Sequence, residues 1–304
     1  MRPRRFGRAR SLPRTKRVAE FIYDQLYRGG WASALAHPLG LQGTLRGATH
    51  DVTLPAPAGD VAPPPLRVAF ASDLHAGPAT HPAILAGACR ALEEAHADLL
   101  LLGGDYVSFH ARFVDALVPL LARVEAPLGK FAVLGNHDLI GDDGYITQRL
   151  AEAGVRVLVN ENARLAAPYD HVSVCGLDDP EEGSPDGAAA LAGAAATRLV
   201  LMHSPEGLRA LEGQDFAMAF CGHVHGGQCW VGERSMIGVH GAHNTRCRRG
   251  GLFDLDGDGG RMLLVSRGIG QGSLPLRRHA DPETHVCTIT WRPMASGKSP
   301  KPPG

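Results

Sequence analysis

Short apolar runs alternate with amphipathic stretches along most of this chain, and that alternation sets the expected fold. The runs at 67–72, 98–102, 130–134 and 155–159 are too short for helices and read as strands buried on both faces. Between them, 81–96, 112–125 and 145–153 carry apolar residues at helical spacing, the first with Pro82 in its opening turn. Strand and helix in strict succession predict parallel strands joined by right-handed crossovers, an α/β fold. The second half is richer in strands, at 171–176, 198–202, 216–221, 262–266 and 284–291, with a Gly/Ala-rich loop and helix at 181–197. No internal repeat is visible.

The two ends follow a different pattern. Residues 1–17 form a basic arm, and 18–27 place apolar residues at 18, 21, 22 and 26, one face of a helix. Pro55, Pro57, Pro63, Pro64 and Pro65 mark a linker ahead of the first strong strand. The expected organisation is therefore an arm, amphipathic helix and Pro-rich linker over 1–65, a catalytic domain over 66–293, and a disordered Pro/Lys/Gly-rich tail over 294–304.

Composition is that of an ordinary globular protein, with 44% hydrophobic and 20% charged residues and no net charge. The charge is unevenly spread, which matters more than its total. Nine Arg or Lys against Glu20 and Asp24 give the first thirty residues a net +7, leaving −7 for the rest. A basic arm feeding an amphipathic helix suits an anionic membrane surface or nucleic acid, and equally a solvated arm whose helix packs on the main domain. The acidic balance of the remainder argues against a broad nucleic-acid groove.

No stretch is long and apolar enough to span a bilayer. Arg4-Arg5 resembles the start of a twin-arginine export signal, but Glu20, Asp24 and Arg28 interrupt the apolar core that should follow. The six cysteines show no C-x-x-C pair and read as reduced, buried thiols. A cytoplasmic location is expected, with peripheral contact to the inner membrane as what the basic N-terminus adds.

The chemistry lies where the apolar runs end. Five ordered motifs follow them: Asp73-Leu74-His75, Gly104-Asp105, Gly135-Asn136-His137-Asp138, His203, and Gly222-His223-Val224-His225. A buried parallel strand delivers its last residues to the sheet edge, where loops carry function. Each motif alone is weak. Together they supply carboxylates, imidazoles and an amide without thiolate, a donor set for divalent Mn, Fe or Zn in an N/O site and not for a structural zinc.

This ordered set resembles the calcineurin-like metallophosphoesterase superfamily over roughly residues 66–291. The stretches 134–138, 222–228 and 266–270 look like a bacterial subgroup of phosphodiesterases and UDP-2,3-diacylglucosamine hydrolases. The resemblance implies a four-layer αββα sandwich. It implies one metal on Asp73, His75, Asp105 and His225 and a second on Asp105, Asn136, His203 and His223, with Asp105 bridging. Two divalent ions, manganese first among them, would hold a hydroxide for in-line attack on phosphorus. His137 would act as acid toward the leaving oxygen, or only hydrogen-bond a phosphate oxygen, with Asp138 orienting its ring. The substrate would be a small-molecule or lipid-linked phosphoester. A non-catalytic metal-binding scaffold and a nuclease are the competing classes.

Other signals are weaker. Asp254 to Gly259 imitates an EF-hand start, but Val265 stands where the bidentate Glu belongs, so a hairpin turn is expected. Asp178-Asp179-Pro180 reads as a turn that could face the site. His240, His243, Arg246, Arg248 and Arg249, and separately Arg267, are candidate anion contacts or plain structural charges.

Overall fold

Strands β1 (Arg46–Pro55), β2 (Leu66–Ala71), β3 (Leu99–Leu102), β4 (Lys130–Ala132) and β5 (Val155–Val157) belong to one sheet of the computed structural model. Strands β6 (Glu161–Arg164), β7 (Val172–Gly176), β8 (Thr197–Leu201) and β9 (Met218–Cys221) build a second. A hairpin of β10 (Trp230–Val231) and β11 (Arg234–Ser235) precedes β12 (Gly251–Asp254) and β13 (Met262–Val265) of the second sheet; β14 (Glu283–Arg292) returns to the first. The structure describes residues 18, 21–23, 25–56, 63–235, 240–257, 259–272 and 274–292. The basic arm at 1–17 and the tail at 294–304 lie outside the described residues.

The first sheet runs β1-β14-β2-β3-β4-β5 and the second β12-β13-β9-β8-β7-β6. Strands β2 to β5 are parallel, as are β13, β9, β8 and β7. The sheets face each other through Val68, Phe70, Leu99 and Leu101 of one and Val174, Leu199, Leu201 and Phe220 of the other, all fully buried. Phe70 and Phe220 meet edge to face, centroids 5.5 Å apart. The alternate residues Ala69, Ala71, Leu100 and Leu102 take the helix Pro82–Glu94 through Ile84, Leu85, Ala88 and Leu92. On the far side Leu191 and Leu211 cover Val200, Met202 and Ala219. Helices, sheet, sheet and helices make the four-layer αββα sandwich. Burial on both faces of each sheet explains why the central strands read as unbroken apolar runs.

Some sequence expectations change. The boundary at 65/66 moves toward the N-terminus, because β1 pairs in parallel with β14 through all 10 residues, from Arg46 opposite Glu283 to Pro55 opposite Arg292. Only Val52 and Leu54 of β1 are buried, an alternation too short to stand out beside the prolines that follow. Of the two alternatives for the apolar helical face at 18–27, packing of that face on the main domain is not what is seen. Its described residues are helical, but Val18, Phe21, Ile22 and Leu26 are 56%, 63%, 57% and 53% exposed. Tyr23 and Tyr27 are the buried anchors, clustered with Ala32 and Ala79. The expected helix at 112–125 is a 3-10 segment, Ala111–Ala116, followed by a short helix, Val118–Ala122, with Pro119 in its first turn.

Smaller expectations have direct outcomes. Asp254 accepts the backbone N–H groups of Asp256, Gly257 and Gly259, closing a hairpin between β12 and β13 in place of a calcium loop. All six cysteines are buried and free. Arg267 spends its backbone N–H and guanidinium on Glu283, each at 2.8 Å. Burial opposes ionisation of Glu283, yet hydrogen bonds from His285 and Arg267 outweigh it and hold the carboxyl at about 2. A depressed carboxylate contributes stability above its unfolded pKa of about 4.3 and loses it as pH falls toward the folded value. Glu283→Gln is therefore expected to lower unfolding free energy by about 3 kcal/mol at neutral pH, with the deficit gone near pH 2. Urea titrations at neutral and acid pH check this; an equal deficit at both would place the cost in packing.

Candidate active site

Each motif residue sits just past the carboxyl end of a parallel strand: Asp73 and His75 after β2, Asp105 after β3, Asn136 after β4, His203 after β8, and His223 and His225 after β9. The loops are unusually tight there. Asp73, His75, Asp105, His223 and His225 hold φ of 54°, 42°, 55°, 69° and 50°, a left-handed region costly for side-chain-bearing residues and concentrated at functional sites. Glycines give the clearance: a Cβ on Gly135 would overlap the Asp105 carboxylate, and one on Gly222 the carboxylate of Asp73.

Donor atoms converge in two groups. His75 Nε2 lies 3.0 Å from His225 Nε2 and 3.4 Å from Asp105 Oδ2, and His225 Nε2 lies 3.5 Å from Asp73 Oδ1. His203 Nε2 lies 3.1 Å from Asn136 Oδ1, 3.2 Å from His223 Nδ1 and 3.3 Å from the same Asp105 Oδ2. Asp105 Oδ2 thus stands between the groups, while its Oδ1 accepts the His137 backbone N–H at 2.9 Å. Ligands at right angles on an ion with bonds of about 2.1 Å stand about 3 Å apart, which is the spacing seen here.

The electrostatics favour cations as well. Burial pushes His75 down to about 3, keeping its imidazole neutral with a lone pair to give. Burial, reinforced by the Arg277 guanidinium, lowers His225 too. His203 differs: burial disfavours its charged form, but Asp105, Asp73 and Asp179 together hold its pKa well above the ordinary value. Buried carboxylates that draw a proton onto a neighbouring imidazole create a place where a metal ion can substitute for that proton.

Outer partners fix the rings. His203 Nδ1 faces the Gly103 carbonyl at 2.8 Å, and His137 Nδ1 faces that of Ser108, so Nε2 of each points to the cluster. His223 does the reverse, with Nε2 3.1 Å from Glu181 Oε1 and Nδ1 turned inward. Glu181 was not visible from sequence. Asp178-Asp179-Pro180 is the expected turn: Asp179 Oδ1 accepts the N–H groups of Glu181 and Glu182, and the turn presents Glu181 to His223. An acidic run, 178–182, directly after a strand was the available signal. Carboxylates behind ligand imidazoles typically change metal affinity about 10–100-fold, so Glu181→Gln should weaken metal binding by that factor in competition with a chromophoric chelator. Unchanged affinity would make the contact a surface ion pair.

The role expected for Asp138 is corrected. Its carboxylate accepts the N–H groups of Gly135 at 2.9 Å, Asp105 at 2.8 Å and Tyr106 at 2.9 Å, and the His137 ring takes its partner from Ser108. Asp138 caps its own short helix, Asn136–Ile140, and ties it to the Asp105 loop. His137 itself is half-buried beside His75, ring centroids 4.9 Å apart, with a donor atom within 4.8 Å of those of His75 and Asp105. The 240–249 segment is anchored through Glu206, which accepts the N–H groups of His243 and Asn244, while Arg249 stacks over Trp230 at 4.0 Å.

Paired sheets that present carboxylates, imidazoles and an amide beyond their parallel strands make a site suited to metal ions, and the family match makes it that of a metal-dependent hydrolase of phosphoester bonds. The chain belongs to the calcineurin-like phosphoesterase family, whose model matches residues 66–227. It is similar to phosphodiesterase YaeI of Escherichia coli (strain K12), 32% identical over 237 residues that cover 74% of this chain and 82% of that protein. An uncharacterized metallophosphoesterase of Bacillus subtilis (strain 168), YkuE, is 28% identical over 208 residues, 65% of this chain and 70% of its own. The UDP-2,3-diacylglucosamine pyrophosphatase LpxG of Chlamydia trachomatis is 24% identical over 289 residues, covering 75% of this chain and 84% of that one.

Proposed function

We propose that this protein is a dinuclear phosphodiesterase or pyrophosphatase that works at an anionic membrane surface on an amphiphilic phosphoester. The observation that carries it is the sharing of Asp105 Oδ2 between two groups of converging donors. Asp73, His75, Asp105 and His225 would hold one ion, and Asp105, Asn136, His203 and His223 the other. The N/O donor set accepts Mn²⁺, Fe or Zn²⁺, and Mn²⁺ is the first to try. Bound there, the ions supply a water of lowered pKa and positive charge against the phosphoryl oxygens.

The chain's own groups do the rest. Water attacks phosphorus in line as the bond to the leaving oxygen breaks, and His137 Nε2 gives that oxygen its proton. With Nδ1–H committed to the Ser108 carbonyl, donation from Nε2 requires the cationic ring. Asp138 keeps His137 and Asp105 in register by clamping both loops.

The membrane reading rests on the N-terminus. Eight of the nine large apolar side chains that stand exposed among the described residues fall within 18–41, beside a segment of net charge +7. Among the described residues no helix is long and apolar enough to cross a membrane. Similarity to LpxG supports UDP-2,3-diacylglucosamine as the first substrate to try. The deciding experiment incubates purified protein and Mn²⁺ with that compound, an aryl phosphodiester and an aryl phosphomonoester. Release of UMP is expected. Cleavage of the aryl diester alone would remove the lipid-linked substrate, and no cleavage with any metal would remove the enzyme.

A further inference from the structure

A cavity of about 680 Å³ lies between the N-terminal segment and the helices covering the first sheet. It falls within the range of small-molecule sites, about 300–1,000 Å³. Tyr27 and Ala34 line it from the N-terminal side, and Leu85, Phe113 and Ala116 from the domain, with Arg28 and Arg112 as its cationic groups.

Three observations say what it takes. The cavity lies close to the metal edge: Ala76 in its wall directly follows His75, and Gly77 beside it packs against Ser108, whose carbonyl holds His137. Aromatic packing runs the same way: Tyr23 meets Phe109 at 4.7 Å and Phe109 meets His137 at 5.6 Å. The same N-terminal segment that walls the cavity turns Leu26, Trp31 and Leu35 outward, at 53%, 55% and 58% exposure, as a surface for a bilayer. An apolar chamber close to a phosphoester site, with its outer wall facing lipid, fits a hydrocarbon chain, while arginines hold the anionic head.

We infer that this cavity is the binding site for the acyl or alkyl chain of an amphiphilic phosphoester, seated with its phosphorus toward the Asp105–His137 edge. The inference rests on the phosphoesterase reading above for the head group and on the cavity alone for the chain. The two are separable by experiment.

Chain binding is measured first, without catalysis, by titrating metal-free protein with the fluorescent fatty acid dansylaminoundecanoic acid. Saturable one-to-one binding is expected in the wild type. Ala34→Trp and Ala116→Phe project from exposed positions into the chamber and should weaken it at least about tenfold, the effect of a few lost buried methylenes, with unchanged melting temperature. Equal binding by the variants would mean adsorption to the exposed ridge and overturn the proposal. Turnover gives the second readout, on p-nitrophenyl phosphodiesters with methyl or decyl as the other ester. The decyl compound should be favoured in kcat/KM by at least about tenfold in the wild type and by little in either variant, with methyl hydrolysis unchanged. Chain preference retained in both variants sinks the cavity assignment. Failure of every ester to react sinks the catalytic reading, and the titration still judges the cavity.

Discussion

Asp105→Asn is expected to empty both metal positions and lower kcat/KM by at least about 10³-fold, the scale of removing one preorganised electrostatic anchor of a transition state. Its Oδ2 stands between the two donor groups, 3.4 Å from His75 Nε2 and 3.3 Å from His203 Nε2. Asparagine keeps the shape and one oxygen, and that oxygen can still accept the His137 N–H, so the loop should survive. What it loses is charge. In the native site burial opposes ionisation of Asp105, but His203, His137 and His75 overcome it and hold the pKa well below the ordinary value. The substituted amide offers no anion to either ion. Elemental analysis after dialysis should fall from about two ions per chain to about none. A variant that retained both ions and wild-type turnover would mean that Asp105 is not the bridge.

His137→Ala is the second large effect, with metal content unchanged and turnover reduced by about 10²–10⁴-fold. The loss should depend on the leaving group. An alkoxide needs a proton as it departs, whereas nitrophenolate leaves well without one, so the defect should be far greater for an alkyl ester. Equal losses for both would assign His137 to holding a phosphate oxygen. Loss of metal would make its ring a ligand, which its nearness to His75 and Asp105 gives reason to measure.

Much of this site is legible in the linear chain because strand ends and candidate ligands coincide. Runs such as Leu99–Leu102 are apolar at every position since both faces are buried, and the polar residues that follow can only lie at a sheet edge. Where that logic is weaker, reading fails. β1 shows only Val52 and Leu54 as buried positions and looked like linker; its place comes from pairing with β14, more than two hundred residues away. At the N-terminus, periodicity identified an apolar face but not its surroundings, and Val18, Phe21, Ile22 and Leu26 face outward because Tyr23 and Tyr27 make the contact. The partners of Asp138 and Glu181 are not legible in sequence, since loop geometry that side-chain identity does not encode sets them.

By itself, the chain's pattern determined the α/β class, the order of its central strands along the sequence and the identity of the side chains at their ends, since burial and backbone chirality leave those features little freedom. Only the packing of one sheet on the other decided that His75 and His225, 150 positions apart, come within 3.0 Å. The reason is physical: donor convergence depends on register and loop conformation across two sheets, and these are fixed by contacts distant in sequence.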